Sequence, residues 1–463
     1  MHTQLIQELN TVLKPSQILS GDQLQHRFHH IWKMDEPLEA VAVVIPTTTQ
    51  EVSSILKICN EVQQRVSIHG GLTNLVGGTE TLKEELVISL EKLNKIEELD
   101  ASSRTMTVQS GVILEQIQKQ AKENDLFFPL NFGAKGSAQI GGIISTNAGG
   151  LRVLRYGMTR NLVLGIEAVL MDGTIISSMK KIIKDNSGYD LKQLFIGSEG
   201  TIGVVTKAIL KLQELPSSRV SAMVSINEYQ NVVLLLKLMD AGFAGSLSGF
   251  ELMWKSYYNV GTSAPSLMKP PLPQDSRYYV LVESLARDQS KDILILEQLL
   301  ETALERGLIE DAVIASTEAD LQWFWQIRED VHAITSQMNY DQHFDISLPI
   351  PLIGKTIDQI VAELKLLNGV EQVVTFGHVA DGNIHLIIGK NESSQELTNS
   401  INEVIYRPLK TIGGSVSAEH GIGVHKKAYL HLCRSDEEIN IMKTIKRSLD
   451  PNNLLNRGRI FDL

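Results

Sequence analysis

Between residues 37 and 215 the sequence alternates short β-branched runs with helical stretches, and this alternation constrains the fold more than any other feature. VAVVIP (41–46) is followed by the helical stretch QEVSSILKICNEVQQ and then by RVSIHGG. Strands that alternate with helices in this way indicate an α/β domain.

Glycine is concentrated in the same part of the chain. Consecutive glycines let backbone N–H groups approach an anion, so several such loops in one α/β segment indicate a large cofactor that carries phosphate. A set of tight turns is the alternative, because the loops match neither GxGxxG nor GxxxxGK[ST]. The loops are HGGLTNLVGG (69–78), GAKGSAQIGG (133–142), NAGG (147–150) and IGSEGTIG (196–203).

A different pattern begins near ELPSSR (214–219), where the glycine-rich loops stop. New strand–helix–strand units follow, which suit an α+β domain with an antiparallel sheet and helices on one face. We therefore expect a cofactor-binding domain of two α/β subdomains over 1–215 and a substrate, or cap, domain over 216–420. A helical C-terminal segment with an irregular tail is expected over 421–463.

The totals of the sequence exclude several classes of function. A formal net charge of -11 and the lack of a concentrated basic face argue against nucleic acid as a partner. Cys59 and Cys433 are too few and too isolated for an iron–sulfur cluster or a CxxC zinc site, so redox chemistry requires a bound organic cofactor. No apolar stretch approaches the roughly 20 residues of a membrane span, and the N-terminus lacks the features of a signal peptide. We expect a cytoplasmic protein without a transmembrane segment.

The stretch TFGHVADGNIHL (375–386) carries polar residues between two runs that are typical of strands. Its Asp-Gly pair indicates a two-residue hairpin turn of type I′, because both central positions of that turn need a positive φ. Pairing across this turn would set His378 opposite His385, with Cβ atoms about 4.5–5.5 Å apart, and Asn383 would share their face.

Two facing histidines can bind one divalent metal ion, with a carboxylate and a substrate in the remaining positions. The segment SVSAEHGIG (415–423) supplies Glu419 as a third ligand and His420 as a base. The alternative is that one histidine is a satisfied core residue, the other is solvated, and Glu419 is simply exposed.

The most specific segments together resemble the FAD-dependent D-2-hydroxyacid dehydrogenases, whose flavin domain is shared with vanillyl-alcohol oxidase. The resemblance covers nearly the whole chain, from PTTTQEV to LNRGRIF. The stretch from GAKGS to RYG is most similar to D-2-hydroxyglutarate dehydrogenases. The resemblance implies an α+β protein with a two-part α/β FAD-binding domain of vanillyl-alcohol oxidase type and an antiparallel-sheet cap domain with helices on one face. The C-terminal segment would return to the flavin. These segments are GAKGSAQIGGIISTNAGGLRVLRYG (133–157), IGSEGTIGVVT (196–206), FGHVADGNIHL (376–386) and SAEHGIG (417–423).

The resemblance assigns the flavin contacts residue by residue. Relatives that tether flavin through a histidine of the first loop carry it where this chain has Thr73, so FAD bound without a covalent link is implied, although His69 lies nearby. The implied contacts are Gly70, Gly71, Thr73, Asn74, Gly77, Gly136, Ser137, Gly141, Gly142, Asn147, Gly149, Gly150, Gly157, Glu199, Gly200, Ile202 and Asn456.

The resemblance also assigns the chemistry of the cap domain. It implies Zn²⁺, with Mn²⁺ as the alternative, held by the same His378, His385 and Glu419 that the hairpin argument reached. His420 becomes the general base and Asn383 orients the substrate.

Substrate carboxylate recognition would use Arg328, whose guanidinium fork fits a carboxylate. An exposed ion pair of Arg328 with Glu329 or Asp330 is the alternative. The chain departs from the family pattern in placing His332 where a threonine is expected and His343 where a lysine is expected.

The implied reaction is oxidation of a D-2-hydroxy acid, D-2-hydroxyglutarate first and D-malate next, to the 2-oxo acid, with hydride transfer to flavin. Electrons would leave to an electron-transfer flavoprotein or a quinone, and a homodimer is the default expectation. The alternatives are a D-lactate dehydrogenase, a glycolate oxidase-like subunit, and an alkyl transferase similar to alkylglycerone-phosphate synthases.

Overall fold

The structure is a computed structural model that describes residues 2–263 and 269–463. The chain divides into two compact units. The first comprises Met1–Gly149, Gly157–Leu215 and Glu419–Leu463, and the second comprises Gly150–Tyr156 and Pro216–Ala418. Two details differ from the predicted domain ranges: residues 150–156 group with the second unit, and Glu419 and His420 group with the first.

The strands of the described residues are numbered in chain order. They are β1 (Ile18–Leu19), β2 (Phe28–His30), β3 (Lys33–Pro37), β4 (Ala42–Val44), β5 (Val66–His69), β6 (Leu86–Ser89), β7 (Ile96–Asp100), β8 (Thr105–Gln109), β9 (Leu126–Phe127), β10 (Val163–Val169), β11 (Ile175–Ser178), β12 (Val204–Lys211), β13 (Gln213–Glu214), β14 (Ser218–Ile226), β15 (Leu247–Trp254), β16 (Tyr278–Ala286), β17 (Asp311–Ile314), β18 (Tyr340–Ser347), β19 (Val370–Gly377) and β20 (Asn383–Lys390).

The α-helices are numbered in the same way. They are α1 (His2–Leu9), α2 (Thr49–Glu61), α3 (Leu114–Lys122), α4 (Ile140–Thr146), α5 (Val153–Tyr156), α6 (Thr159–Leu162), α7 (Lys192–Phe195), α8 (Tyr229–Phe243), α9 (Lys255–Gly261), α10 (Gln289–Glu305), α11 (Glu318–Glu329), α12 (Val331–Thr335), α13 (Ile353–Leu364), α14 (Gln395–Tyr406), α15 (Leu409–Ile412) and α16 (Asp436–Leu449).

The first unit contains two principal sheets. One has the order β1-β4-β6-β5, in which β4, β6 and β5 run parallel, and the other is an antiparallel sheet of order β11-β10-β12-β8-β7. Parallel strands need a crossover, and α2 supplies it between β4 and β5. Thr48 begins α2 by accepting a hydrogen bond from the backbone N–H of Glu51 at 3.1 Å. The two-subdomain α/β pattern of the sequence corresponds to these two sheets.

The C-terminal tail packs into the core of the first unit. Leu454 and Leu455 are buried with the apolar residues of α1, α2 and the parallel sheet, and Leu455 forms a parallel bridge with Val66. Buried Lys446 of α16 donates hydrogen bonds to Asp450 and to the carbonyl of Leu455. These contacts order the tail without a regular element.

The second unit is built on a seven-stranded antiparallel sheet of order β17-β14-β16-β15-β19-β20-β18. Strands β14, β15, β16 and β20 are almost entirely buried, whereas β17 and the first half of β18 are partly exposed. One face packs with α9, α11 and α12 around Met223, Tyr279 and Phe376, whereas α8 lies over the other, where the ring of Tyr229 contacts that of Tyr278. The sheet confirms the predicted α+β class, but the predicted placement of helices on one face is wrong, because helices pack against both faces.

Within residues 2–263 and 269–463, no helix is both long enough and apolar enough to cross a bilayer.

Candidate active site

The predicted two-residue hairpin turn is wrong. Residues 378–382 connect β19 to β20, and His385 pairs with Phe376 rather than with His378. The true register therefore differs from the predicted one by two residues.

Local contacts explain the longer connection. Asp381 Oδ1 accepts a hydrogen bond from the backbone N–H of Asn383 at 3.2 Å, and Gly382 adopts a φ of +86° at the end of a short 3₁₀ turn. Burial raises the pKa of Asp381 to about 6. A shift of two residues preserves the face of a strand, because side chains alternate with a period of two. His378 and His385 consequently still meet, with their Nε2 atoms 3.5 Å apart.

Glu251 of β15 holds the ring of His378. Its side chain is 1% exposed, and both carboxylate oxygens lie 2.8 Å from Nδ1 of His378. Because a carboxylate only accepts hydrogen bonds, Nδ1 carries a proton and Nε2 faces His385. Burial acts to raise the pKa of Glu251, but His378 and Arg328 outweigh it by charge and hydrogen bonding and keep the pKa below its usual value.

Arg328, near the end of α11, binds the same carboxylate. Its Nη2 lies 2.7 Å from Oε2 of Glu251, and its guanidinium lies 4.7 Å from the ring centroid of Phe376. The alternative of an exposed ion pair with Glu329 or Asp330 is wrong, because Arg328 is only 4% exposed. Its Nε has no hydrogen-bond partner within the described parts of the chain.

Asp345 of β18 is a second buried carboxylate in the same unit. Its Oδ1 accepts a hydrogen bond from Nδ2 of Asn383 at 2.7 Å and lies 3.9 Å from Nδ1 of His385. Its Oδ2 accepts from the Ser417 hydroxyl and from the Ala418 N–H, both at 3.1 Å. Oδ1 of Asn383 is buried and has no partner among residues 2–263 and 269–463.

These side chains form what we call the buried cluster. It consists of Glu251, Arg328, Asp345, His378, Asn383 and His385.

His332 and His343 do not lie in the buried cluster. Asp330, with φ −80° and ψ 63°, separates α11 from α12, so His332 does not continue the helix of Arg328, and its side chain is exposed. The ring of His343 is also exposed and lies 2.5 Å from Oδ2 of Asp341. This hydrogen bond lowers the pKa of Asp341.

The predicted metal trio combines residues of both units. His378 and His385 belong to the second unit, whereas Glu419 and His420 belong to the first. The trio, and His420 as the base, therefore stay predictions.

In the first unit, the predicted flavin loops contact one another. A Cβ on Gly71 would clash with the carbonyl oxygen of Ser137. The side chain of Asn74 accepts hydrogen bonds from the N–H groups of Val76 and Gly78, at 3.0 and 2.7 Å, and so closes the first loop. Glycine is required at position 71 because the two loops pack backbone to backbone.

Asn456 in the tail connects two further loops. Its Oδ1 accepts a hydrogen bond from the N–H of Ile68 at 2.9 Å, and its Nδ2 donates to the carbonyl of Glu199 at 2.8 Å. The Glu199 carboxylate accepts from the N–H groups of Ile422 and Gly423, at 2.7 and 2.8 Å. Burial raises the pKa of Glu199. Asn456 and Glu199 thus join the ends of β5, the loop before β12 and the tail.

The remaining predicted flavin contacts lie in loops and short helices. Gly150 belongs to the second unit, and the others belong to the first. Those of the first unit are Gly70, Thr73, Gly77, Gly136, Gly141, Gly142, Asn147, Gly149, Gly157, Gly200 and Ile202.

Unpartnered polar atoms among these loops fit a cofactor with many hydrogen-bonding groups. Three buried atoms, Nε2 of His69, Oγ of Ser110 and Oε1 of Gln139, have no partner in the part of the chain that the structure describes. Oε1 of Gln139 would lie 3.7 Å from a Cβ on Gly70, and a Cβ on Gly142 would meet open space. Buried polar atoms are normally satisfied, so these residues fit FAD.

The histidine pair fits a divalent metal ion. Two ring nitrogens 3.5 Å apart can both reach one Zn²⁺ at about 2.0–2.1 Å. The carboxylate of Glu251 supplies the second-layer hydrogen bond that metal-binding histidines usually make. The identity of the ion stays a prediction.

Comparison with known proteins decides the family. A profile described as the FAD binding domain matches residues 40–178, and one described as FAD linked oxidases, C-terminal domain, matches residues 215–460. The probable mitochondrial D-2-hydroxyglutarate dehydrogenase of Oryza sativa is 39% identical over 421 residues, which cover 90% of this chain and 74% of that protein. The chain belongs to the FAD-dependent D-2-hydroxyacid dehydrogenase family. It is an FAD-dependent oxidoreductase.

Other relatives of this family cover similar parts of the chain. A putative mitochondrial D-lactate dehydrogenase of Schizosaccharomyces pombe is 38% identical over 89% of this chain and 80% of its own length. A D-2-hydroxyglutarate–pyruvate transhydrogenase of Saccharomyces cerevisiae is 34% identical over 95% of this chain and 92% of its own length.

Solved structures confirm the flavin fold. p-Cresol methylhydroxylase with substrate bound matches with a TM-score of 0.76 at 16% identity, over 99% of this chain and 97% of that chain. Alkyldihydroxyacetonephosphate synthase matches with a TM-score of 0.75 at 14% identity, over 98% and 84%. At these identities the likeness shows the fold alone, and the vanillyl-alcohol oxidase type predicted for this family is confirmed.

Two carboxylates of the buried cluster were not predicted from the sequence. Glu251 stands inside the buried run LSGFELMW, and Asp345 stands inside the run FDIS. An acidic residue within an apolar strand is the signal that could have found both, because an unpaired buried charge is very costly.

Proposed function

We propose that the protein oxidises a D-2-hydroxy acid to the 2-oxo acid, with D-2-hydroxyglutarate as the first candidate and D-malate as the next. The names of the relatives in rice and yeast support this substrate class. The observation that carries the proposal is the shared carboxylate of Glu251, which binds Arg328 and His378 together. Arg328, which can bind a substrate carboxylate, and His378, which can bind a metal ion, thus lie in one buried cluster.

Each residue has a distinct proposed task. Arg328 binds the substrate carboxylate through its unpartnered Nε, since a guanidinium donates in a planar fork. Asn383 receives the substrate hydroxyl at its unpartnered Oδ1. His420 removes the hydroxyl proton, because an imidazole with a pKa of about 6.5 is a suitable base near neutral pH.

Two bound groups complete the chemistry. FAD, bound without a covalent link by the loops of the first unit, supplies a hydride acceptor. Zn²⁺, with Mn²⁺ as the alternative, would be held by His378, His385 and Glu419 and would lower the pKa of the substrate hydroxyl. Ala418, whose N–H donates to Asp345, immediately precedes Glu419 in the sequence.

A monocarboxylate such as D-lactate is the second candidate substrate. The ring of His343 stands where the family's lysine is expected, and it is exposed and bound to Asp341. The second carboxylate of a dicarboxylate substrate would therefore compete with Asp341 for the imidazole of His343. The S. pombe relative is named a putative D-lactate dehydrogenase.

The electron acceptor is proposed to be external. An electron-transfer flavoprotein or a quinone suits a chain with two free cysteines and no iron–sulfur ligands. The name of the S. cerevisiae relative adds a 2-oxo acid such as pyruvate as an acceptor to be tested. A homodimer and a cytoplasmic location stay predictions.

Anaerobic reduction of the bound flavin tests the proposal. The oxidised flavin absorbance is followed with D- and L-forms of 2-hydroxyglutarate, malate and lactate, with and without a chelator. We expect rapid bleaching with D-isomers that is lost after chelation and restored by Zn²⁺ or Mn²⁺. Equal bleaching by chelated enzyme would remove the metal from the mechanism, and no bleaching by any hydroxy acid would refute the proposed reaction.

A further inference from the structure

The carboxylate of Glu251 contacts two residues of the proposed site, His378 and Arg328. Its oxygens lie 2.8 Å from Nδ1 of His378 and 2.7 Å from Nη2 of Arg328. It is 1% exposed, in the middle of a strand whose residues are all buried. The carboxylate is therefore fixed, and it fixes both partners.

The contact with His378 sets the chemistry of the ring. A hydrogen bond from Nδ1–H to a carboxylate leaves Nε2 as the coordinating nitrogen of the neutral ring and raises its basicity. Nε2 is the atom that lies 3.5 Å from Nε2 of His385. Glu251 thus orients His378 for a shared ion.

The contact with Arg328 sets the direction of the guanidinium. Nη2 is bound to Glu251, the plane lies over the ring of Phe376, and the hydroxyl of Tyr257 donates to the Arg328 carbonyl at 2.6 Å. The guanidinium is thus held by Glu251 and Phe376, and its Nε lacks a partner within residues 2–263 and 269–463. This buried N–H can still donate one hydrogen bond.

We propose that Glu251 is a positioning residue that links the two halves of the site, by directing Nε2 of His378 to the metal ion and Nε of Arg328 to the substrate carboxylate. The inference rests on the proposed roles of His378 and Arg328. One buried carboxylate then controls both metal affinity and substrate affinity.

Glu283 provides a matched control. It lies on the same face of the sheet, in β16, is fully buried, and is bound by Arg152 at 2.7 Å, Arg219 at 2.6 Å and Nε1 of Trp325 at 2.8 Å. None of its partners is a predicted site residue. Glu283→Gln therefore removes a buried charge from the same sheet without touching the proposed site.

The experiment uses the purified FAD-bound enzyme with Glu251→Gln, Glu251→Asp and Glu283→Gln. Zinc affinity is measured by competition with a chromogenic chelator. Binding of the 2-oxo acid product to metal-free enzyme is measured from the change in flavin absorbance. Thermal midpoints are recorded for every variant, so that loss of folding is separated from loss of binding.

For Glu251→Gln we expect zinc affinity to fall about 10–100-fold, the usual effect of losing a hydrogen-bond partner of a metal-bound histidine. Product binding to the metal-free enzyme should also weaken, and KM and kcat should both change. Glu251→Asp keeps the charge and should recover part of the zinc affinity. Glu283→Gln should keep both affinities within twofold of the wild type.

Four outcomes would overturn the inference or one half of it. Zinc affinity of Glu251→Gln within twofold of wild type would refute the metal half, and unchanged product binding to the metal-free variant would refute the Arg328 half. Equal losses in Glu251→Gln and Glu283→Gln would show a general effect of charge removal. A wild type that binds no zinc would instead refute the proposed metal role and, with it, the metal half, while the product measurement still decides the Arg328 half.

Discussion

Replacing Asn456 by alanine should open the loops of the first unit. Two partly buried backbone groups, the N–H of Ile68 and the C=O of Glu199, depend on its side chain at 2.9 and 2.8 Å. A fully buried polar group left without a partner costs about 1–3 kcal/mol, so about 2–6 kcal/mol is the most that these two partly buried groups can cost together. Asn456 also has a φ of +44°, which alanine adopts with added strain.

Native-state hydrogen exchange measures this cost at the Ile68 amide, since it reports the free energy of local opening. At about 1.4 kcal/mol per factor of ten, a cost of about 2 kcal/mol should accelerate exchange of that amide roughly 30-fold. Retention of FAD through gel filtration should fall in parallel, because Asn456 is a predicted flavin contact.

Two variants separate the causes. Asn453, at φ +51°, is in the same tail, so Asn453→Ala measures the cost of a left-handed alanine by itself. Asn456→Asp keeps the acceptor for Ile68 and loses the donor to Glu199, so its effect should be intermediate. If Asn456→Ala exchanged no faster at Ile68 than Asn453→Ala, the reasoning from the two hydrogen bonds would be refuted.

Three further predictions concern single residues. His420→Ala should abolish flavin reduction by a D-2-hydroxy acid while FAD stays bound, and reduction at the wild-type rate would reject His420 as the base. Arg27 donates hydrogen bonds to Glu91 that lower the pKa of this carboxyl group from its usual 4.5, so the pair stabilises the fold above that pH and the stabilisation is lost as the pH falls through the folded-state pKa. The difference in thermal midpoint between the wild type and Arg27→Gln should therefore shrink in acid, and a difference that stays constant would contradict this. His343→Lys should raise kcat/KM for D-2-hydroxyglutarate relative to D-lactate, measured with an artificial dye, and an unchanged ratio would place substrate selection elsewhere.

The sequence was sufficient to predict the histidine pair even though the predicted turn was wrong. A register error of two residues keeps each side chain on its face, so His378 and His385 still meet. An error of one residue would have placed them on opposite sides. The prediction succeeded because face is determined by alternation, whereas turn length depends on local contacts such as that of Asp381 with the N–H of Asn383.

The partners of the site could not be predicted in the same way. Glu251 and His378 are 127 residues apart, and no local pattern relates a strand residue to a distant loop. The sequence also did not predict the helix break at Asp330, which separates His332 from the helix that contains Arg328. Long-range pairing depends on the order of strands in the sheet, which periodicity alone does not determine.

Glu251 and Glu283 show how a carboxylate that serves a site differs from one that holds a fold. Both are buried on one face of the same sheet, and both bind arginine, as buried charges must. Glu283 is bound by two arginines and an indole, none of which belongs to a predicted site residue. Each partner of Glu251 has a second polar atom for the proposed site. Arg328 has its unpartnered Nε, and His378 has Nε2, which faces His385. A neutral isostere of Glu283 should therefore change stability alone, whereas one of Glu251 should change what the site binds.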